Sequence, residues 1–292
     1  MLNINRRKRI LVLFPIFSLL LILGIAFWVF FSRPPILFVT DASFSLLYGP
    51  ERLERQSRRI SSTFFRQAIP VLIDESAGPE LIAIAAEEAY GEPWAVIFPY
   101  RYLEGARRYK EAMPETQVLV MGGSEPMIMG AFTFISTDTR TDLYRAGMAA
   151  ALLTGEKMPL FFINETLSEE LRDFFRQGLK DQGCLQEPVF HNASSNYPSY
   201  SEIGCVVVAG PAAAFVEQNL DIPVILFSWI DPSFTPGTVK LIFDDSPLTL
   251  AAEALKAPPD RVVFLPSSPS IFKDRIGEKG IYLKLKDIIR KK

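Results

Sequence analysis

Histidine is almost missing from this chain of 292 residues, and His191 is its single instance. A Ser/His/Asp or Cys/His catalytic arrangement would have to run through that one side chain. It stands in a polar stretch away from any expected strand end, where an ordinary solvated histidine is the simpler reading. Cysteine is scarce too, with only Cys184 and Cys205, so no cluster of Cys and His ligands for a metal can form. In an oxidising compartment the two could pair; they could equally be small buried hydrophobes. There is no Gly-x-x-x-x-Gly-Lys-Ser/Thr run and no Gly-x-Ser-x-Gly elbow, and Gly122-Gly123-Ser124 reads most simply as a turn. An excess of either charge is lacking: 31 basic against 33 acidic residues give a net charge of -2. Neither nucleic acid nor an acidic lipid surface is implied as a partner of the body. No solenoid-period repeat and no low-complexity tract occurs, and the 22 prolines are spread along the chain. No cofactor or metal is implied, and no catalytic set.

What is present begins at the N-terminus. Arg6-Arg7-Lys8-Arg9 leads into an uncharged apolar segment from Ile10 to Ser32, closed by Arg33. Roughly 20 residues rising about 1.5 Å each span a hydrocarbon core, so residues 10–32 are long enough to cross as one helix. Cations ahead of the segment and none within it place residues 1–9 in the cytoplasm and everything after Arg33 outside it. A signal peptide has a shorter core ending at small residues. Here the end is Phe27-Trp28-Val29-Phe30-Phe31, which suits an interfacial aromatic belt and an uncleaved single-pass anchor.

From residue 36 short apolar, β-rich runs alternate with amphipathic ones, which predicts an α/β protein with parallel sheets and right-handed crossovers. Strands are expected at Ile36–Thr40, Pro70–Asp74, Ala95–Phe98, Gln117–Met121 and Phe132–Ser136, and helices at Arg52–Gln67, Pro79–Tyr90 and Tyr102–Met113. These strand runs are apolar throughout, as strands covered on both faces are. A second series has a helix over Arg140–Leu153, a strand over Pro159–Ile163 and a helix over Glu165–Gln182, then strands at Cys205–Ala209, Val224–Ser228 and Val239–Phe243. Leu248–Lys256 reads as a helix and Arg261–Leu265 as a strand, followed by a Pro/Ser-rich break at 266–269 and a basic, weakly patterned tail. Two Rossmann-like lobes account for this better than one very wide sheet. Lobe 1 is expected over 36–135 plus about 245–265, and lobe 2 over 136–243 plus about 266–292.

Ligands of open α/β sheets bind beyond the carboxyl ends of the strands, which here would converge on a cleft between lobes. The residues in those places are Asp41, Ser43 and Phe44; Tyr100 and Arg101; Ser124 and Glu125; Asn164 and Glu165; and Trp229 and Asp231. Aromatics mixed with carboxylates, an amide and hydroxyls suit stacking a flat or sugar-like molecule while hydrogen-bonding its edge. Each residue also has a plain structural role open to it: Asp41 as a cap, Phe44 and Trp229 as interface filling, Asp231-Pro232 as a turn start.

Three stretches resemble the type 1 periplasmic-binding fold and, within it, the basic membrane protein (BMP) family of substrate-binding lipoproteins, whose best-known ligands are purine nucleosides. Val39-Thr40-Asp41-Ala42-Ser43-Phe44-Ser45 is similar to that family's first strand and Asp-x-Ser-Phe-Asn turn. Thr137-Asp138, running on to Gly147-Met148-Ala149-Ala150, resembles its crossover and Gly-x-x-Ala-Ala helix. Val224 to Asp231 followed by Pro236-Gly237-Thr238-Val239 resembles its Val-Ile-Gly-x-Asp strand and Pro-Gly-x-Val return. The resemblance implies that Asp41 and Phe44 contact and stack a ligand from the first lobe and that Asp231 holds the ligand's polar edge; Asp138, at the crossover, is expected among the ligand-binding residues with them. The chain departs from the family at Ser45, at Asn164-Glu165-Thr166 and at Gly210-Pro211, and it has no cysteine for a lipid.

The expectation is therefore a membrane-anchored extracytoplasmic protein that binds a small molecule, a nucleoside or sugar, by hinge closure and serves an ABC transporter permease or a sensor. An interaction protein that keeps the fold without a ligand is the alternative. An enzyme using Asp41, Glu125, Glu165 and Asp231 as acid/base carboxylates comes third.

Overall fold

A computed structural model describes residues 3–122, 132–163, 167–192, 200–209, 221–244, 246–256 and 262–290, without the side chains of 3–16, 162, 163, 192, 200 and 247. It opens with helix α1 (Asn3–Ser32). The described side chains of α1 are mostly apolar, and Phe17, Leu20, Ile22, Phe27 and Trp28 among them are exposed. Among the described residues no helix is long and apolar enough to cross a membrane, and the side chains of 10–16, the first part of the expected span, lie outside them. Where α1 meets the body, Phe30 stands edge-on to Phe65 at 5.4 Å, and Arg33 lies over the same ring.

Two six-stranded sheets follow. The first contains β1 (Ile36–Asp41), β2 (Ala68–Ile73), β3 (Ala95–Pro99), β4 (Gln117–Met121), β5 (Thr133–Thr137) and β11 (Val262–Leu265), in the spatial order β11-β5-β4-β3-β1-β2, all parallel. Every residue of β1 is buried. Successive side chains of a strand face opposite ways. Leu37, Val39, Val96, Phe98, Val118 and Val120 pack on one face beneath α4 (Pro79–Ala89) and α5 (Leu103–Ala112). Ile36, Phe38, Ile97, Leu119 and Ile135 pack on the other, beneath α3 (Pro50–Phe64) and α8 (Pro247–Ala254). A short helix, α2 (Ala42–Tyr48), occupies the stretch expected to be a plain turn after β1.

The second sheet contains β6 (Met158–Ile163), β7 (Val189–Asn192), β8 (Ile203–Ala209), β9 (Val224–Phe227), β10 (Val239–Asp244) and β12 (Ser268–Ile271), ordered β12-β10-β9-β8-β6-β7. Only β12 runs antiparallel, beside β10. The Pro/Ser-rich stretch around 268 is thus an edge strand, where Pro269 has no central ladder to interrupt. Two further sequence readings are corrected. His191 is on β7, opposite Phe162, and only 3% exposed. The basic tail folds as α9 (Lys279–Arg290), whose Leu285 and Ile288 are buried and whose Ile281, Tyr282 and Ile289 pack on the lobe core, an i, i+4, i+7, i+8 stripe hidden among lysines. Cys184 and Cys205 are both free, and burial pushes the Cys205 thiol up in pKa.

Helices α6 (Thr139–Thr154) and α7 (Glu169–Asp181) cover this sheet at unusually close range. A Cβ on Gly147 would come within 2.2 Å of the Phe175 carbonyl oxygen, and one on Gly178 within 2.0 Å of the Tyr144 carbonyl oxygen. The clash is with backbone, so it can be relieved only by moving a helix. Gly147→Ala or Gly178→Ala should therefore cost about 3 kcal/mol, the top of the overpacking range, read as a lower urea midpoint with an unchanged slope.

The chain passes between lobes at β5–α6, β10–α8 and β11–β12, and these crossovers are stitched together. The Asp138 amide donates to Leu265 O at 2.8 Å, and the Ser267 amide donates to both Asp142 carboxylate oxygens at 3.0 Å. Asp142 is 2% exposed; burial pushes its pKa up to about 6, against the Ser267 hydrogen bonds and Arg145, which lower it, with Asp138 raising it further. A folded-state pKa above the unfolded value of about 4 means a contribution to stability that is complete below pH 4 and lost as pH rises through 6. Asp142→Asn removes that loss. Urea titrations should show the stability of the wild type relative to the variant falling by about 2 kcal/mol between pH 4 and pH 7.5.

Candidate functional site

At the carboxyl end of the first sheet lies a cavity of about 280 Å³ lined by Phe38, Val39, Thr40, Asp41, Ser43, Phe44, Leu47, Ile97, Pro99, Arg101, Trp229 and Leu248. Strands β1 and β3 supply its floor, α2 one wall, and Trp229, the loop residue after β9, reaches across from the second lobe. Phe44 is placed by α2, whose first turn is capped by Asp41: Asp41 Oδ1 accepts the Phe44 amide at 2.8 Å. The Phe44 ring then stacks on Trp229 at 5.1 Å between centroids and on Tyr48 at 5.2 Å.

Asp41 is 1% exposed and its oxygens are occupied. Oδ2 accepts the Tyr102 hydroxyl at 3.0 Å and pairs with Arg101 at 3.2 Å. Burial, then donation to Asp41, pushes the Tyr102 phenol up to about 12, so it stays a donor throughout the physiological range. Arg101 also donates to the Tyr102 hydroxyl and lies over its ring. Its side chain is half exposed at the cavity mouth, where its charge is balanced by Asp41. Thr40 differs from its neighbours: it is 2% exposed, and its Oγ1 has no hydrogen-bond partner among the described residues.

A set of contacts holds the lobes together beside the cavity. Arg52, from α3, pairs with Asp244 at the end of β10 at 2.6 Å, donates to Trp229 O at 3.1 Å and lies over the Tyr48 ring. The Asp231 amide donates to Leu47 O at 2.8 Å. Gly49 has φ +92, which calls for a glycine, and a Cβ there would be 2.2 Å from Asp231 Oδ2, so any other residue would also push that side chain aside. Asp231 Oδ1 accepts the Ser233 amide. Desolvation raises the Asp231 pKa, but its hydrogen bonds from Ser233, together with Arg52 and Arg55, outweigh that and hold it below the usual carboxylate range.

Of the residues expected at the site, Asp41, Ser43, Phe44 and Trp229 line one cavity. Asp231 lies next to it, facing Gly49. Tyr100 packs with the core on the opposite face of the first sheet. Asp138 is the N-cap of α6 at a crossover, accepting from Thr141. Glu125 and Asn164 lie outside the described residues, as do Ser124 and Glu165. Sequence reasoning missed Thr40, Leu47, Arg52, Asp244 and Leu248. Asp244, at the end of a strand, was open to the same rule that picked Asp41; Arg52, in the first turn of a helix rich in arginines, carried no signal.

No protein-family model and no curated protein matches the sequence. Solved structures do match its fold. A transcriptional activator of the comK gene from Bacillus halodurans superposes with TM-score 0.59 at 12% identity, over 87% of this chain and 95% of that one. An ABC transporter solute-binding protein from Conexibacter woesei DSM 14684 gives 0.59 at 11% identity, over 88% and 95%. A periplasmic ribose ABC transporter protein from the same organism gives 0.52 at 14% identity, over 87% and 97%. The chain is an α/β protein of two parallel-sheet lobes that resembles type 1 periplasmic-binding proteins, whose structural relatives include solute-binding proteins and transcription regulators.

Proposed function

We propose that this protein is a membrane-tethered extracytoplasmic receptor that closes its lobes over a small molecule and presents it to an ABC transporter permease or a sensor. The observation that carries this is the cavity walled by Phe44 from one lobe and Trp229 from the other, at strand ends and beside stitched crossovers that serve as a hinge. A ligand seated in that cavity, beside the stacked rings, favours the closed form by the contacts it makes only there. The tether is α1: an all-round apolar helix in water exposes a surface that soluble domains hide, and the basic residues 6–9 orient it. The BMP-like part of this reading rests on the motif around Asp41 to Ser45 and on the return through Val239.

Small molecules released by heating the purified full-length chain and identified by mass spectrometry test the receptor. One compound at near-stoichiometric amount is the expected result; none, together with no thermal shift from any candidate compound, would favour the fold kept for protein contacts alone. For the tether, the chain should stay with bacterial membranes through an alkaline carbonate wash, and external protease should digest the body in spheroplasts.

A further inference from the structure

We propose that lobe 1 rests on the bilayer by the edge from which its strands start, where Arg33 and Arg66 take the phosphate of a phospholipid headgroup and Phe65 and Trp94 lie in the same layer; this rests on the tether in the reading above. Only Arg33, Pro34 and Pro35 separate α1 from β1, a reach of about 10 Å even fully extended. That connection is not free to swing. Arg66 donates to Pro34 O at 2.9 Å, the Trp94 amide to Pro35 O at 2.8 Å and the Ile36 amide to Gln67 O at 2.8 Å. With a helix that leaves the hydrocarbon at Ser32, the segments carrying Phe65, Arg66 and Trp94 are held at the headgroup layer.

The side chains at this edge suit that layer. Phe65 is the one non-glycine residue with positive φ among the described residues, at φ 50 and ψ 47, closing α3 where glycine is the usual choice. A bulky residue is strained in that conformation, and with the ring 40% exposed little burial offsets the strain. What the conformation secures is the ring's place between Phe30 of α1 and the Arg33 guanidinium. Arg66 lies over the Trp94 ring at 4.9 Å, and that ring packs against Phe64. Among the described residues neither arginine pairs with a carboxylate. Burial lowers the Arg66 pKa, and the charge of Arg33 lowers it further. Two neighbouring guanidiniums without an acid call for an anion, and the planar fork of arginine matches the oxygens of phosphate. The net charge of -2 does not draw the body to a lipid surface as a whole; the attraction is local, at the point where the chain leaves the bilayer. Tryptophan, phenylalanine and arginine are side chains that a headgroup layer accommodates. Strand β1 then runs outward for six residues, which sets the cavity about 20 Å farther from the membrane.

The test uses the full-length chain, one copy per lipid nanodisc of phosphatidylethanolamine and phosphatidylglycerol, in a Cys184→Ser background. A nitroxide is attached through Gly91→Cys, where a Cβ meets open space three residues before Trp94, or through Glu80→Cys at the start of α4, beyond the carboxyl end of β2. Collision with a water-soluble nickel chelate should be suppressed at position 91 and unhindered at position 80. Phe65→Gly should keep or raise the thermal midpoint in detergent, because glycine carries no strain at positive φ, and should nevertheless lose the shielding at position 91. Arg33→Gln combined with Arg66→Gln should lose it as well. Nanodiscs of digalactosyldiacylglycerol, a lipid without phosphate, should shield the chain with both arginines intact no better than phospholipid shields the double variant. Equal collision at positions 91 and 80 in a chain that withstands the carbonate wash overturns the seating and leaves the tether standing; a chain that the wash removes overturns both. Shielding that survives Phe65→Gly, the double arginine variant or the phosphate-free lipid overturns the proposal.

Discussion

Arg52→Met should lower the unfolding free energy by about 3–5 kcal/mol at neutral pH, the range for removing one partner of a buried ion pair. Arg52 and Asp244 are 2.6 Å apart, with side chains 16% and 7% exposed. Burial raises the Asp244 pKa even in the presence of Arg52, which lowers it along with the Ser246 amide and Thr249. Without Arg52 the carboxylate remains in a site that water does not reach, and its pKa climbs further. The folded-state value then stands well above the unfolded one, so stability is preserved at low pH, where Asp244 is neutral, and lost as pH rises through the new value. The penalty measured by urea denaturation should therefore be large at pH 7.5 and small at pH 4.5. Arg52→Met with Asp244→Asn should recover much of the loss, because an uncharged amide can keep the Ser246 and Thr249 contacts without needing a cation.

Asp41→Ala should cost about 2–4 kcal/mol with no ligand present. About 1 kcal/mol is the lost cap of α2, and about 1–3 kcal/mol the Tyr102 hydroxyl left buried without its acceptor. The ion pair with Arg101 adds little, since that guanidinium is half exposed and can turn to water. Ser43→Ala, a change at the cavity rim, should fall within about 0.5 kcal/mol of wild type. This contrast separates two roles that look alike in a sequence: an aspartate at a strand end that shapes the site, and one that touches what enters it. In the unliganded protein Asp41 does the former, holding α2 so that Phe44 faces Trp229.

The α/β alternation was readable because its signals are local. Runs such as Val118 to Met121 and Val206 to Val208 are apolar without alternation, and doubly covered strands need that pattern. The edges were harder. Val189–Asn192 and Ser268–Ile271 are short, each has one neighbour, and a proline or a histidine is tolerated where no second ladder is made. Helix α9 was obscured by its lysines, although its inward stripe is intact once they are assigned to the solvent face. At the cleft, the strand-end rule picked out Phe44 and Trp229, which are 185 residues apart in sequence and stack only because two sheets are brought together. Tyr100, which opens the 3₁₀ turn after β3, packs instead with the core on the other face of the sheet. Arg52 escaped because its partner is 192 residues away in sequence, and an arginine on an amphipathic helix reads as solvent-facing until the second lobe is in view.

Interlobe distance, measured by pulsed electron paramagnetic resonance, tests the hinged receptor most directly. Spin labels would be attached at cysteines replacing the exposed Glu80 on α4 and Asp173 on α7, in a Cys184→Ser background that leaves only the buried Cys205. With Trp229 in place the account predicts a short, narrow distribution, lengthened in part of the population by Trp229→Ala, which removes the stack that joins the lobes. A single distribution that is the same in both proteins, and is unmoved by any compound that binds, would contradict it.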